Sequence, residues 1–125
     1  MFCWSEVSSN DIIRIVSKFS NSKSADFYWL SNYVLKQTIH IISEPFAFVI
    51  NSCLAEGYFS PLLKISKVIP AFKKGDKTQC HSYRPISIVP VFSKVLESVM
   101  YNQLNYYFLV HDLISDAQFG FRNGR

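Results

Sequence analysis

Apolar positions recur along this chain in two rhythms. Ile12, Ile13, Val16 and Phe19 return every three or four residues and predict a short helix over 8–20. Ser8, Ser9 or Asn10 can cap it, and Asp11 suits a first turn where unpaired N–H groups concentrate positive charge. Residues 20–26 read as a polar linker. A second helix is expected over 29–43. A third should begin at Pro45, because a missing N–H is harmless at a first helical position. Phe46, Val49, Ile50, Cys53 and Leu54 supply its apolar stripe, and Gly57 ends it as a left-handed residue. The clearest helical pattern combines Val91, Val95 and Val99 with Phe92, Leu96, Met100, Leu104 and Phe108. It predicts a helix over 91–108 with Pro90 near its start. Residues 111–114 leave that helix, and Ser115 and Gln118 then stand at capping-box spacing.

Between these helices the period drops to two. Ile65, Lys67, Ile69 and Ala71 alternate with Ser66, Val68, Pro70 and Phe72, and Tyr83 to Val89 form a second β-branched run. Gly75-Asp76 marks the turn joining them. Pro70, Pro85 and Pro90 cannot donate to a ladder, so these strands belong to a sheet edge or a free ribbon. Of the four glycines, Gly120 and Gly124 fall in the final FGFRNGR, where the backbone must bend or approach something closely.

At 125 residues and 49% hydrophobic, the chain can bury a core and is not a disordered tail. Charge sharpens the picture through its placement. Residues 1–60 hold four basic and five acidic groups, whereas residues 61–125 hold nine basic and four acidic. Six cations and one acid lie within 64–84 alone. That local excess favours a polyanion, nucleic acid or a nucleotide triphosphate, over a merely solubilising surface. Cys3, Cys53 and Cys80 are too few and too scattered for a disulfide framework and fit a reducing, intracellular setting. His40, His81 and His111 do not join them at zinc-ligand spacing. The start of the chain lacks the pattern of a signal peptide. The apolar run 39–55, broken by Glu44, Pro45 and Asn51, is too short and polar to span a bilayer.

Three segments, KVIPAFKKGD (67–76), SYRPISIVPVFSKVLESVMYNQL (82–104) and LISDAQFGFRNGR (113–125), together closely resemble the start of the reverse transcriptase domain of non-LTR, LINE-type and jockey-like retrotransposons. SKSADFYWLSNYVLK (22–36) and GYFSPLLK (57–64) look like that family's leading segment. The order and spacing of several motifs carry the resemblance; a lone RPIS or GFR would be weak. One position departs from it. The family commonly has Gly where Trp29 stands, and Trp adopts a positive φ less cheaply than Gly.

The resemblance implies an α+β fold, a mostly helical fingers-type fragment of a right-hand polymerase with one antiparallel β ribbon. It divides the chain into an N-terminal helical segment, 1–21, and a partial reverse transcriptase domain, 22–125. In such fingers the ribbon closes over the incoming deoxynucleotide. Arg84 then takes the place of an arginine that reaches the triphosphate, and Lys73 or Lys74 that of its partner lysine. Arg offers phosphate a planar fork and Lys a point charge. The competing reading pairs Arg84 with Asp76 or a carbonyl. Phe119, Gly120, Phe121, Arg122 and Arg125 match the family's template-side motif. Base stacking there competes with plain burial of the two phenylalanines.

The family's Mg2+ or Mn2+ ions are held by palm aspartates absent from this chain. Asp11, Asp26, Asp76, Asp112 and Asp116 read as cap, turn and linker residues. The implied parent function is RNA-directed DNA polymerisation, with RNA template, DNA primer and deoxynucleotide as partners and no membrane. This chain alone is expected to be inactive. The implied setting is the cytoplasm and nucleus, within the element's ribonucleoprotein. The alternative is a non-catalytic nucleic-acid-binding remnant of such an element.

Overall fold

The computed structural model describes residues 1–120. In chain order it comprises α1 (Ser9–Ser17), α2 (Asn32–Glu56), a 3-10 turn (Pro61–Lys64), β1 (Lys67–Phe72), a second 3-10 turn (Cys80–Ser82), β2 (Tyr83–Ile88) and α3 (Val91–Val110). This is the expected α+β class with one antiparallel two-stranded sheet, but with three helices where the sequence predicts four.

Helices α1 and α2 each start where a neighbouring serine supplies an acceptor for their free N–H groups. Ser8 caps α1 through a reciprocal box. Its hydroxyl accepts from the Asp11 amide, and the Asp11 carboxylate accepts from the Ser8 amide at 2.9 Å. Ser31 caps α2 by accepting from Val34. Gly57, at φ 65, closes α2 in the left-handed region, and Tyr58 donates back to the Cys53 carbonyl at 3.0 Å.

The expected break at Pro45 does not occur, and α2 runs through it as one helix of 25 residues. Buried residues explain this. Leu35, Ile39, Ser43, Ala47, Ile50 and Leu54 form one line at three- and four-residue steps on both sides of the proline. Pro45 and Ile41, the residue whose carbonyl loses its donor, are both exposed, so water can reach the gap. Packing of the continuous line outweighs the ~3 kcal/mol that an internal proline costs. Of the predicted third stripe Ile50 and Leu54 are buried, Phe46 and Cys53 are half-buried and Val49 is exposed, while Ala47, outside that stripe, joins the buried line. By length and composition the unbroken helix could cross a membrane, contrary to the expectation from residues 39–55.

The core joins that line to Ile12 and Val16 of α1 and to Val91, Val95, Leu96 and Val99 of α3. Phe46 and Phe92 meet edge to face at 5.0 Å and lock α2 to α3. The N-terminal segment is sewn on by two side-chain amides. Asn51 both accepts from and donates to the backbone of Val7, and Gln103 does the same for Ser5.

Among the described residues strands β1 and β2 pair only with each other, from Lys67 opposite Ile88 to Phe72 opposite Tyr83. None of their apolar residues is fully buried, so the ribbon stands off the helical body. Lys73 extends the ladder by donating to the Ser82 carbonyl at 2.8 Å. Because bonded and non-bonded rungs alternate, Pro70 and Pro85, which face each other, fall on a non-bonded rung. Their nitrogens turn outward, and the ladder loses nothing. The capping-box spacing at Ser115 and Gln118 yields a turn instead of a helix. Gln118 donates to the Ser115 carbonyl and Ala117 to its hydroxyl.

Candidate nucleotide and nucleic-acid interface

The distal end of the ribbon is a cationic turn of fixed shape. Gly75 sits at φ 94, and a Cβ there would come within 3.2 Å of the Ser82 hydroxyl. The positive φ favours glycine, and a side chain there would also need the Ser82 hydroxyl to give way by a few tenths of an ångström. The Asp76 carboxylate accepts from the Thr78 amide at 2.9 Å, and Gln79 donates to the Asp76 carbonyl. That hydrogen bond from Thr78, backbone first and side chain second, holds the Asp76 carboxyl below its ordinary range. The acid is therefore occupied in shaping the turn. Phe72 and Tyr83 close the last rung edge to face, Lys77 lies 5.4 Å from the Phe72 ring centre, and the Tyr83 hydroxyl donates to the Lys77 carbonyl.

Lys73, Lys74 and Arg84 are all exposed on this end. Arg84 stands opposite Ala71, and Lys73 opposite Ser82 one bonded rung further out. Residues two apart share a side of the pleat, so Lys73 and Arg84 face the same way. Lys74 sits in the turn itself. Among the described residues Arg84 forms no ion pair, with Asp76 or with any other acid. Ser82 is 1% exposed, and its hydroxyl has no partner among the described residues.

Phe119 is 63% exposed and Gly120 is exposed, and no hydrogen bond or ring contact among the described residues joins them to the ribbon. Phe121, Arg122 and Arg125 lie outside the described residues. A cavity of about 460 Å³ lies among the N-terminal segment, α1 and α3 and shares no described residue with the ribbon. Among the described residues no cluster of His, Cys, Asp or Glu is arranged to hold a metal ion.

The base of the ribbon holds what sequence reasoning passed over. Asp26, placed in a polar linker, is 1% exposed. Its carboxylate accepts from Tyr28 at 2.8 Å, from Leu30 at 3.0 Å and from Val91 at 2.9 Å. It thus caps α3, whose own preceding residue, Pro90, offers no side-chain acceptor. A helix start with no local cap was the available signal that an acceptor must come from elsewhere. The same loop carries Trp29 at φ 63, so this tryptophan does adopt the left-handed conformation that glycine takes cheaply.

No protein-family model matches the chain. Individual proteins of mobile genetic elements do. The chain is 32% identical over 120 residues to a 115 kDa protein ascribed to the type-1 retrotransposable element R1DM of Drosophila melanogaster, covering 92% of this chain and 11% of that protein. It is 29% identical over 119 residues to the RNA-directed DNA polymerase from mobile element jockey of the same species, covering 94% and 13% respectively. The jockey polymerase of Drosophila funebris matches at 29% over 121 residues, 93% of this chain and 13% of that protein. The chain is a homologue of a short segment of the RNA-directed DNA polymerases of non-LTR mobile elements. It spans only 11–13% of the length of these relatives.

Proposed function

We propose that this chain is the nucleotide-positioning part of an RNA-directed DNA polymerase of a jockey-like element, and that Lys73, Lys74 and Arg84 hold the triphosphate of the incoming deoxynucleotide. The observation that carries this reading is a projecting ribbon whose end bears exposed Lys73, Lys74 and Arg84, with Lys77 beside them, while the one acid in its turn is tied to Thr78. Phosphoryl transfer builds negative charge on phosphate oxygens, and cations fixed in advance stabilise it. Arg84 supplies a planar fork for two phosphate oxygens, and the lysines supply point charge on the same end. Their work is binding and orientation.

In this reading residues 22–125 are the partial polymerase domain and residues 1–21 lead into it. Phe119 and Gly120, with Phe121, Arg122 and Arg125, belong to the template side. RNA template and DNA primer are partners of the whole polymerase, which works in the cytoplasm and nucleus. Mg2+ or Mn2+ belongs to its metal-holding acids. The described residues of this chain do not fit such a site, and no metal-dependent step is assigned to them.

The test is titration of the 125-residue chain with a deoxynucleoside triphosphate at low salt, beside the variant carrying Lys73→Ala, Lys74→Ala and Arg84→Ala. Affinity should fall by roughly tenfold or more in the variant, and it should weaken with added salt in the parent. Equal affinity in the two chains would overturn the assignment.

A further inference from the structure

An exposed tryptophan stands at the opposite end of the ribbon from its turn. Trp29 is 81% exposed although its backbone sits at φ 63, a conformation costly for any bulky residue. The loop leaves it little choice. Asp26 donates its amide to the Leu30 carbonyl at 2.8 Å, accepts from Trp29 through its own carbonyl at 3.0 Å, and gathers Tyr28 and Leu30 with its carboxylate. The Tyr28 hydroxyl donates to the Leu62 carbonyl, which fastens the loop to the turn leading into β1. An indole that packs on little is therefore held out on a rigid mount.

Its neighbour is a cation. Lys67, the first residue of β1, holds its ammonium 5.3 Å from the Trp29 ring centre. It covers one face of the indole and, at this exposure, leaves the other open. A flat ring with positive charge beside it suits an unpaired base carried on a phosphate backbone. We infer that Trp29, backed by Lys67, is a stacking platform for single-stranded nucleic acid. The inference extends the proposed function to a residue and a contact beyond the ribbon turn, and it rests on that reading only in taking nucleic acid as the partner.

The measurement is quenching of Trp29 fluorescence in a Trp4→Phe background, on titration with oligo(dT) of ~12 nucleotides at low salt, within the span of one such binding site. An abasic strand of the same length is the comparison. Oligo(dT) should quench and the abasic strand should bind more weakly. Trp29→Gly, followed by a dye-labelled strand, should lose about five- to hundredfold in affinity, and Trp29→Phe should keep part of it. Trp29→Gly should also unfold at higher urea, because glycine relieves the positive φ. Gain of stability with loss of binding is a pair of signs that a purely structural tryptophan does not give. Absence of quenching, equal binding of the abasic strand, or full affinity in Trp29→Gly would overturn the platform. If triphosphate binding depends on Lys73, Lys74 and Arg84 while Trp29→Gly changes nothing, the platform fails and the proposed function stands. If only Trp29→Gly matters, the reverse holds.

Discussion

The helical body and the ribbon spend their residues differently. In the body, Ile12, Val16, Ile50, Val95 and Val99 are almost wholly buried, and most polar side chains that enter it find a partner. In the ribbon no apolar residue is fully buried, and six cations gather over residues 64–84. A lone two-stranded hairpin is marginal in water. This one is anchored instead by its roots, through the Tyr28 hydroxyl at one strand and the start of α3 at the other. The contrast teaches that stability and charge display are kept on separate parts of the chain. Substitutions should therefore unfold the body or disarm the ribbon, and rarely both.

The largest effect expected is at the junction. Asp26→Ala removes the acceptor for three amides, one of them the buried start of α3, and should cost about 3 kcal/mol in denaturant unfolding. A loss under about 1 kcal/mol would mean the body does not depend on this link. Next, Pro45→Ala should raise stability by about 2 kcal/mol, because it restores an internal helix bond while loosening the unfolded chain slightly. No gain would mean that α2 is two helices in solution. Gly57→Ala should cost about 1 kcal/mol by placing a Cβ at φ 65.

Ser8→Ala should cost about 1 kcal/mol and blunt acid sensitivity. The hydrogen bonds from Ser8, backbone first, and the nearby Arg14 hold the Asp11 carboxyl below its ordinary 3.8. A carboxyl lowered on folding stabilises above its unfolded value, and that contribution is lost as pH falls through the folded value. Thermal unfolding followed from pH 6 down to about pH 3 should show a steeper loss in the parent than in Ser8→Ala. The smallest change is expected in the ribbon. Replacing Lys73, Lys74 and Arg84 together by alanine should leave stability within about 0.5 kcal/mol. A larger loss would break the separation between the two regions.

Much of this architecture was legible before any coordinates. Val91 to Phe108 carried a helical rhythm strong enough to stand alone, and α3 ends only two residues beyond it. The ribbon is legible because its alternation, its turn and its prolines agree, whereas the sequence offers Ser8, Ser9 or Asn10 as the first cap and the structure selects Ser8, in a box with Asp11. Failures share a cause. Pro45 has the local habit of a helix start, which the buried line from Leu35 to Leu54 overrides. Asp26 was read as linker because its decisive partner, Val91, is 65 residues away. Trp29 departs from the family pattern in the sequence, but only the surrounding hydrogen bonds show that it accepts the left-handed conformation. As to the candidate site, the cations were visible as a charge run. That Lys73 and Arg84 share a side depends on a register no local pattern fixes.

The facing pair Pro70 and Pro85 has one more effect. An arm of exposed, β-branched residues would ordinarily invite a neighbour to zip alongside and grow into a fibril. Here each outer rim is blanked at its midpoint by a ring where a donor would be, so neither a second molecule nor a stray peptide finds an unbroken row to match. Whatever meets this arm must come to its flat sides or its tip.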